Sequence, residues 1–220
     1  MDRSRPLVGR WLLAVSCCAL LATTGGCSNA LATAMYVIRG NTVPAEFPGL
    51  KEQRVVVVCR PPSSLPLELA TLPKDLARQI SNKLSANVPK IIVVDQQEVD
   101  AWMDENTWND FKEVGRALKA DRVVAVELMS FSTDLDHTLL QGKAEYSLHV
   151  YDMKNNGAVV FEKYPRPSQF PPNTAYSTLE KQKHVFRREY IAILADEIGR
   201  HFYPYDANAS FAIDSTTLRQ

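Results

Sequence analysis

The sequence predicts an α/β domain: a mixed sheet of about five strands, with helices packed on it and a long C-terminal helix. Three observations carry this. Two short β-branched runs, residues 54–60 and 90–95, are apolar without alternation, as strands covered on both faces are. Apolar residues then recur at helical spacing through 72–86 and 96–105. Finally, 144–152 alternates apolar with polar and is followed by Asn155-Asn156-Gly157, a tight hairpin signal because Asn and Gly accept positive φ.

Taken in order, the run at 54–60 is stopped by Pro61 and Pro62. Helix 72–86 places Leu72, Leu76, Ile80 and Leu84 on one stripe. After strand 90–95, helix 96–105 sets Val99, Trp102 and Met103 on one side. Asp110, with Glu113 three residues on, has capping-box spacing for a third helix carrying Phe111, Val114 and Leu118 inward. Strand 122–131 leads through a polar turn at 134–138 to strand 144–152 and back along 158–164. Four prolines within 165–172 predict a loop. Helix 178–202, ended by Pro204, closes the domain, and 204–220 reads as a flexible tail.

Composition limits function before any motif does. Lys+Arg and Asp+Glu number 25 each in 220 residues, a balance that lacks the basic surplus an unaided nucleic-acid binder uses to displace counterions. Hydrophobic residues at 45% and charged residues at 23% describe a globular chain rather than a disordered one.

The first segment is an address. Arg3, Arg5 and Arg10 precede an unbroken apolar run from Trp11 to Ala22. Twelve residues at 1.5 Å rise span about 18 Å, well short of the roughly 30 Å hydrocarbon core, so a signal peptide is expected. Small residues then lead to Cys27. This resembles a bacterial lipoprotein signal, with Thr24 where that pattern prefers Leu. The resemblance implies a signal peptide at 1–26, lipidation (palmitate) of Cys27 and a lipidated tether at 27–53. Ordinary cleavage after Ala34 and an uncleaved anchor are the competing readings. Ser28, rather than Asp, after the cysteine implies the outer membrane, periplasmic face.

Cleavage before Cys27 leaves 22 basic and 24 acidic residues, a charge of about −2, and removes Cys17 and Cys18. Cys59 alone then remains as a thiol, which excludes a disulfide framework or a cysteine-cluster metal site within the monomer.

Residues 91–95 before a helix, 114–121 (Val-Gly-Arg-Ala-Leu-Lys-Ala-Asp) before Val123-Val-Ala-Val126, and the 146–164 hairpin carry a second resemblance. Over 54–202 the pattern is similar to the α/β domain shared by curli-secretion lipoproteins, penicillin-binding-protein activator lipoproteins and the amino-terminal domain of the TolB envelope protein. It implies a binding or assembly protein and brings no catalytic residues. The polar 131–142 connection departs from the long membrane-spanning hairpins of curli-type pores, and the tether is shorter than the activators' arms.

Chemistry is sparse. Asp134, Asp136 and His137 form the one metal-like cluster, with a solvated hairpin tip as the plainer reading and no further ligands identifiable. Cys59 ends an all-valine strand, which favours a buried thiol over a nucleophile. The expected partner-binding residues are Arg60, Pro61 and Pro62 in one proline-stiffened loop, Trp102 and Trp108, Phe170 in the other loop, and the basic run Lys181, Lys183, Arg187 and Arg188. The domain in this reading, 54–203, is a non-enzymatic accessory factor in binding, assembly or secretion. Its partner is an envelope protein or cell-wall component, it meets the membrane through its lipid, and it uses no nucleic acid and no cofactor. A periplasmic hydrolase or ligand-binding enzyme with a site near Asp134–His137, and a homo-oligomeric envelope scaffold, are the alternatives.

Overall fold

A computed structural model describes residues 42–207. The segment read above as a signal peptide, and Cys27, lie outside the described residues. The elements in chain order are β1 (Thr42–Val43), β2 (Arg54–Arg60), α1 (Leu72–Asn87), β3 (Ile92–Val93), α2 (Gln96–Glu105), α3 (Phe111–Ala117), β4 (Arg122–Asp134), β5 (Leu139–Asp152), β6 (Ala158–Phe170), β7 (Tyr176–Ser177), α4 (Lys183–Gly199) and β8 (Tyr205–Asp206).

The main sheet has six strands in the order β3-β2-β4-β5-β6, with β7 also paired to β5. β2 runs parallel to β3 and β4, and the β4–β5–β6 steps are antiparallel, so the sheet is mixed as expected. The valine run of β2 is covered on both faces. Val55, Val57 and Cys59 join a core with α1 and α4, while Val56 and Val58 join another with α2 and α3. Two helices on each side of one sheet make three layers.

Helix α1 begins near Pro73, where proline's missing N–H costs no intrahelical bond, and buries Leu72, Leu76, Ile80 and Leu84. The Asp95 carboxylate accepts from Gln97 N at 2.8 Å, and that of Asp110 from Lys112 N at 2.9 Å, so each caps its helix. Gly115 lies under β4, where an added Cβ would sit 2.4 Å from Val123 Cγ2. Asn156 (φ 52°) and Gly157 (φ 74°) make the β5–β6 turn, with Asp152 accepting from Lys154 N and Asn155 N.

Four expectations are corrected. The proline-rich stretch is not all loop, because β6 continues through Pro165 and Pro167 to Phe170. It is an edge strand, and there a residue without an N–H can face solvent without removing a ladder bond. The strand expected at 90–95 shrinks to Ile92–Val93 at the opposite edge, with Ile92 57% exposed. The last helix starts at Lys183 rather than 178, since 176–177 pairs with β5 and Glu180 N and Lys181 N turn back to Ser177 O. The hairpin expected to loosen after 131 runs to Asp134 and resumes at Leu139, so the connection is only 135–138.

Packing also reaches beyond 54–203. Leu50, in the stretch assigned to the tether, is fully buried, and Phe47 packs against Phe161 and Phe202 at ring distances of 5.3 and 6.4 Å. Phe47 N donates to His201 O at 2.9 Å. Thr42 and Val43 pair antiparallel with Asp206 and Tyr205. The apolar residues of 42–53 therefore bury on the domain, and the first residues of the expected tail hold them there.

Candidate interaction surfaces

The residues singled out in sequence fall in three places. Arg60, at the end of β2, is held rather than free: its guanidinium bonds Glu127 Oε1 and Asn109 O, each at 2.8 Å, and lies 4.2 Å from the Phe111 ring centroid and 5.1 Å from that of Trp108. Trp102 and Trp108 are partly buried against the α2–α3 core. Pro61 is exposed and Pro62 half-buried beside them. Phe170 is mostly buried and leaves little of its ring at the surface. It is 5% exposed and its ring stacks on Phe186 at 6.3 Å, because the β6 alternation turns it inward.

The basic run gathers at the start of α4, and its two lysines are matched by local acids. Lys181 Nζ pairs with Glu189, Lys183 Nζ with Asp134 at 2.9 Å, and Arg187 donates to Glu68 O at 3.1 Å. Arg188 is exposed. Asp136 serves its own turn, its Oδ1 accepting from Thr138 N at 2.7 Å and Leu139 N at 2.8 Å. The Thr138 N–H leads in holding that carboxyl below its ordinary value. Among the described residues no group of three or more His, Cys, Asp or Glu side chains converges as a metal site. Cys59 is buried, and burial pushes its thiol far above the ordinary range, which keeps it in the inert protonated form.

A concave feature lies toward the other end of α4. A groove of about 810 Å³ runs between α1, α4, the end of β6 and residues 203–206. Its walls include Phe170, Ile193 and Tyr203, with Lys83, Asp196, Glu197 and Arg200 among them. Asp196 anchors it, accepting from Lys83 Nζ at 2.8 Å, Arg200 Nη2 at 2.7 Å and Tyr203 Oη at 3.3 Å. Burial opposes its ionisation, but the Lys83 bond and the Arg200 charge outweigh it and hold the carboxyl below its ordinary value. Glu197, one residue on, behaves oppositely. Burial pushes its carboxyl up, only partly offset by the Ser168 hydroxyl and Arg200.

A second hollow of about 280 Å³ shares Glu197, Arg200 and Tyr205 with the groove and lies under residues 43–46. Glu46 bonds Lys163 and, at 3.2 Å, His201 Nδ1. Burial lowers the His201 imidazole, with Glu46 opposing, so the buried ring favours its neutral form. Sequence spacing missed this region because its walls come from positions as distant as Lys83, Gln169, Ile193 and Asp206. One signal was present: Glu197 occupies the apolar stripe between Leu194 and Ile198.

No protein-family model matches the chain, and no curated protein matches it. Solved structures similar to it include the PelC L103M dodecamer from Paraburkholderia phytofirmans, 11% identical over 74% of this chain and 96% of that one, at a TM-score of 0.43. The hypothetical protein CT253 from Chlamydia trachomatis is 17% identical over 68% and 92%, TM-score 0.43. Lipoprotein GNA1162 from Neisseria meningitidis is 10% identical over 65% and 96%, TM-score 0.43. Lipoproteins from Neisseria meningitidis and Acinetobacter baumannii are among the similar structures, each at a TM-score below one half.

Proposed function

We propose that this chain is a lipoprotein of the bacterial envelope, cleaved before Cys27, lipidated there and held at the periplasmic face of the outer membrane. Its α/β domain acts as a non-enzymatic binding and assembly factor. The observation that supports binding rather than catalysis is the state of the groove's charges. Asp196 is committed to three partners, Glu189 to Lys181 and Glu197 to Ser168. These carboxylates shape and stiffen an open, partly apolar trough, the form that suits a segment of a partner. Asp134 and Asp136, the centre of the hydrolase alternative, are spent on Lys183 and on their own turn.

Two measurements test this. Replacing Cys27 with Ala should release soluble or unprocessed protein, and unchanged processing and membrane fractionation would refute lipidation at that residue. A photo-cross-linking residue at Gln169 should capture an envelope component in cells. Ala192→Trp, which fills the groove, should abolish that capture while leaving the melting temperature within a few degrees. Capture that survives the filled groove would remove the groove from the binding site. A monomeric mass in detergent would exclude the scaffold alternative.

A further inference from the structure

At the start of α4 three loops meet, and each presents one leucine to solvent. Leu67, in the turn before α1, is 90% exposed; Leu135, at the β4–β5 tip, is 45% exposed; and Leu179, between β7 and α4, is 97% exposed. The loops are tied together. Arg187 on α4 donates to Glu68 O at 3.1 Å, Lys183 one turn earlier pairs with Asp134 at 2.9 Å, and Thr178 N donates to Thr138 O at 2.9 Å. The three apolar tips are therefore held at one end of the molecule, away from the groove.

We infer that this end rests on the lipid bilayer, with Leu67 and Leu179 entering its interface and Leu135 beside them. The inference rests on the lipid anchor at Cys27 and names a second, protein-borne contact with the same membrane. Two features favour a bilayer over a protein partner. The leucines are separate prongs on turns, whereas the groove and hollow that would seat a partner's side chains lie at the opposite end of α4. A fluid surface accepts isolated prongs without a matching shape. The charges carry no basic surplus: Glu68, Asp134, Asp136, Glu180 and Glu189 stand against Lys181, Lys183, Arg187 and Arg188. Such an end needs no anionic lipid and suits zwitterionic headgroups.

Geometry permits the contact. The expected tether meets the domain at β1, beyond the far end of α4, and a 17-residue helix is about 25 Å long. The 15 residues 27–41 can reach up to about 50 Å, twice that length. Lipid in the outer leaflet of a vesicle can thus hold Cys27 while the leucine end lies on the same surface.

The test uses the full processed protein, purified from membranes and reconstituted into neutral phosphatidylcholine vesicles. Leu67→Cys or Leu179→Cys carries an environment-sensitive nitrobenzoxadiazole label, with Asn155→Cys as the reference at a remote turn. Cys59 is buried and spared by the reagent. The labels at 67 and 179 should shift to shorter wavelength, brighten severalfold and be quenched by brominated lipid, while the label at 155 stays aqueous. Labels at 67 and 179 as aqueous as the one at 155 overturn the inference. Shielding in whole cells but not on vesicles would assign the leucines to a protein and overturn it as well. The mass of the N-terminal peptide reports acylation separately, so loss of the anchor reading is visible on its own. In a Cys27→Ser form freed of residues 1–26, the double change Leu67→Asp, Leu179→Asp should lower the vesicle-bound fraction at least about tenfold. An unchanged fraction counts against leucine insertion.

Discussion

Replacing Leu50 with Ala tests where the folded domain begins. Leu50 stands in the stretch that sequence reasoning assigned to the tether, where its removal would have no effect on stability. In the structure it is fully buried in the core formed by β2, α1 and α4. Deleting three buried carbons from such a site costs about 2–5 kcal/mol, the transfer term plus whatever cavity remains. A domain of this size loses roughly 2–4 °C of melting temperature per kcal/mol, so the expected fall is roughly 10 °C. Thermal melts followed by circular dichroism, with urea melts at 25 °C for the free energy, would measure it. Leu67→Ala, at 90% exposure, serves as the control and should stay within about 0.5 kcal/mol of the parent. A Leu50→Ala change as small as the control's would refute the packing of 42–53 on the domain.

Gly142→Ala should destabilise by about 1–3 kcal/mol in urea melts, because its Cβ would fall 2.4 Å from Cγ of the fully buried Tyr190 ring. Asp121 is held below its ordinary 3.8 chiefly by the Arg54 N–H, at 2.8 Å. Its contribution is therefore complete above about pH 4 and lost as pH falls through the lower folded value; Asp121→Asn should lower stability above about pH 4 and flatten the fall on the acid side of a stability–pH profile. Glu197 has the opposite sign. Its folded value is raised above 4.5 by burial, so the unfolded chain ionises first and stability falls as pH rises past that point. Glu197→Gln should remove that decline and raise the melting temperature near pH 7, and an unchanged profile would show the carboxyl is not desolvated.

The parts of the fold legible in sequence are those whose physics is local. Five apolar residues in a row, four of them valine, point to a doubly covered strand, and β2 is one. Asp95 and Asp110 announce helix starts because a carboxylate there meets free N–H groups, and α2 spans 96–105 as expected. What was not legible depends on neighbours. Pro165 and Pro167 forbid a central strand but not an edge one, and sequence does not say which strand is at the edge. Leu50 and Phe47 looked like isolated hydrophobes because the α4 and β6 surfaces they cover lie more than a hundred residues away. The lysines of the α4 start read as a basic patch until Asp134 and Glu189 arrived beside them by folding.

The pairing of Thr42 and Val43 with Asp206 and Tyr205 brings the chain's entry and exit points together. A pull applied through residue 42 therefore meets a two-residue ribbon before it meets the six-stranded sheet. The same adjacency sets a rule for handling the protein: a reporter fused after residue 207 starts beside the entry strand and crowds it, whereas one inserted at the Asn156–Gly157 turn leaves both ends and the ribbon undisturbed.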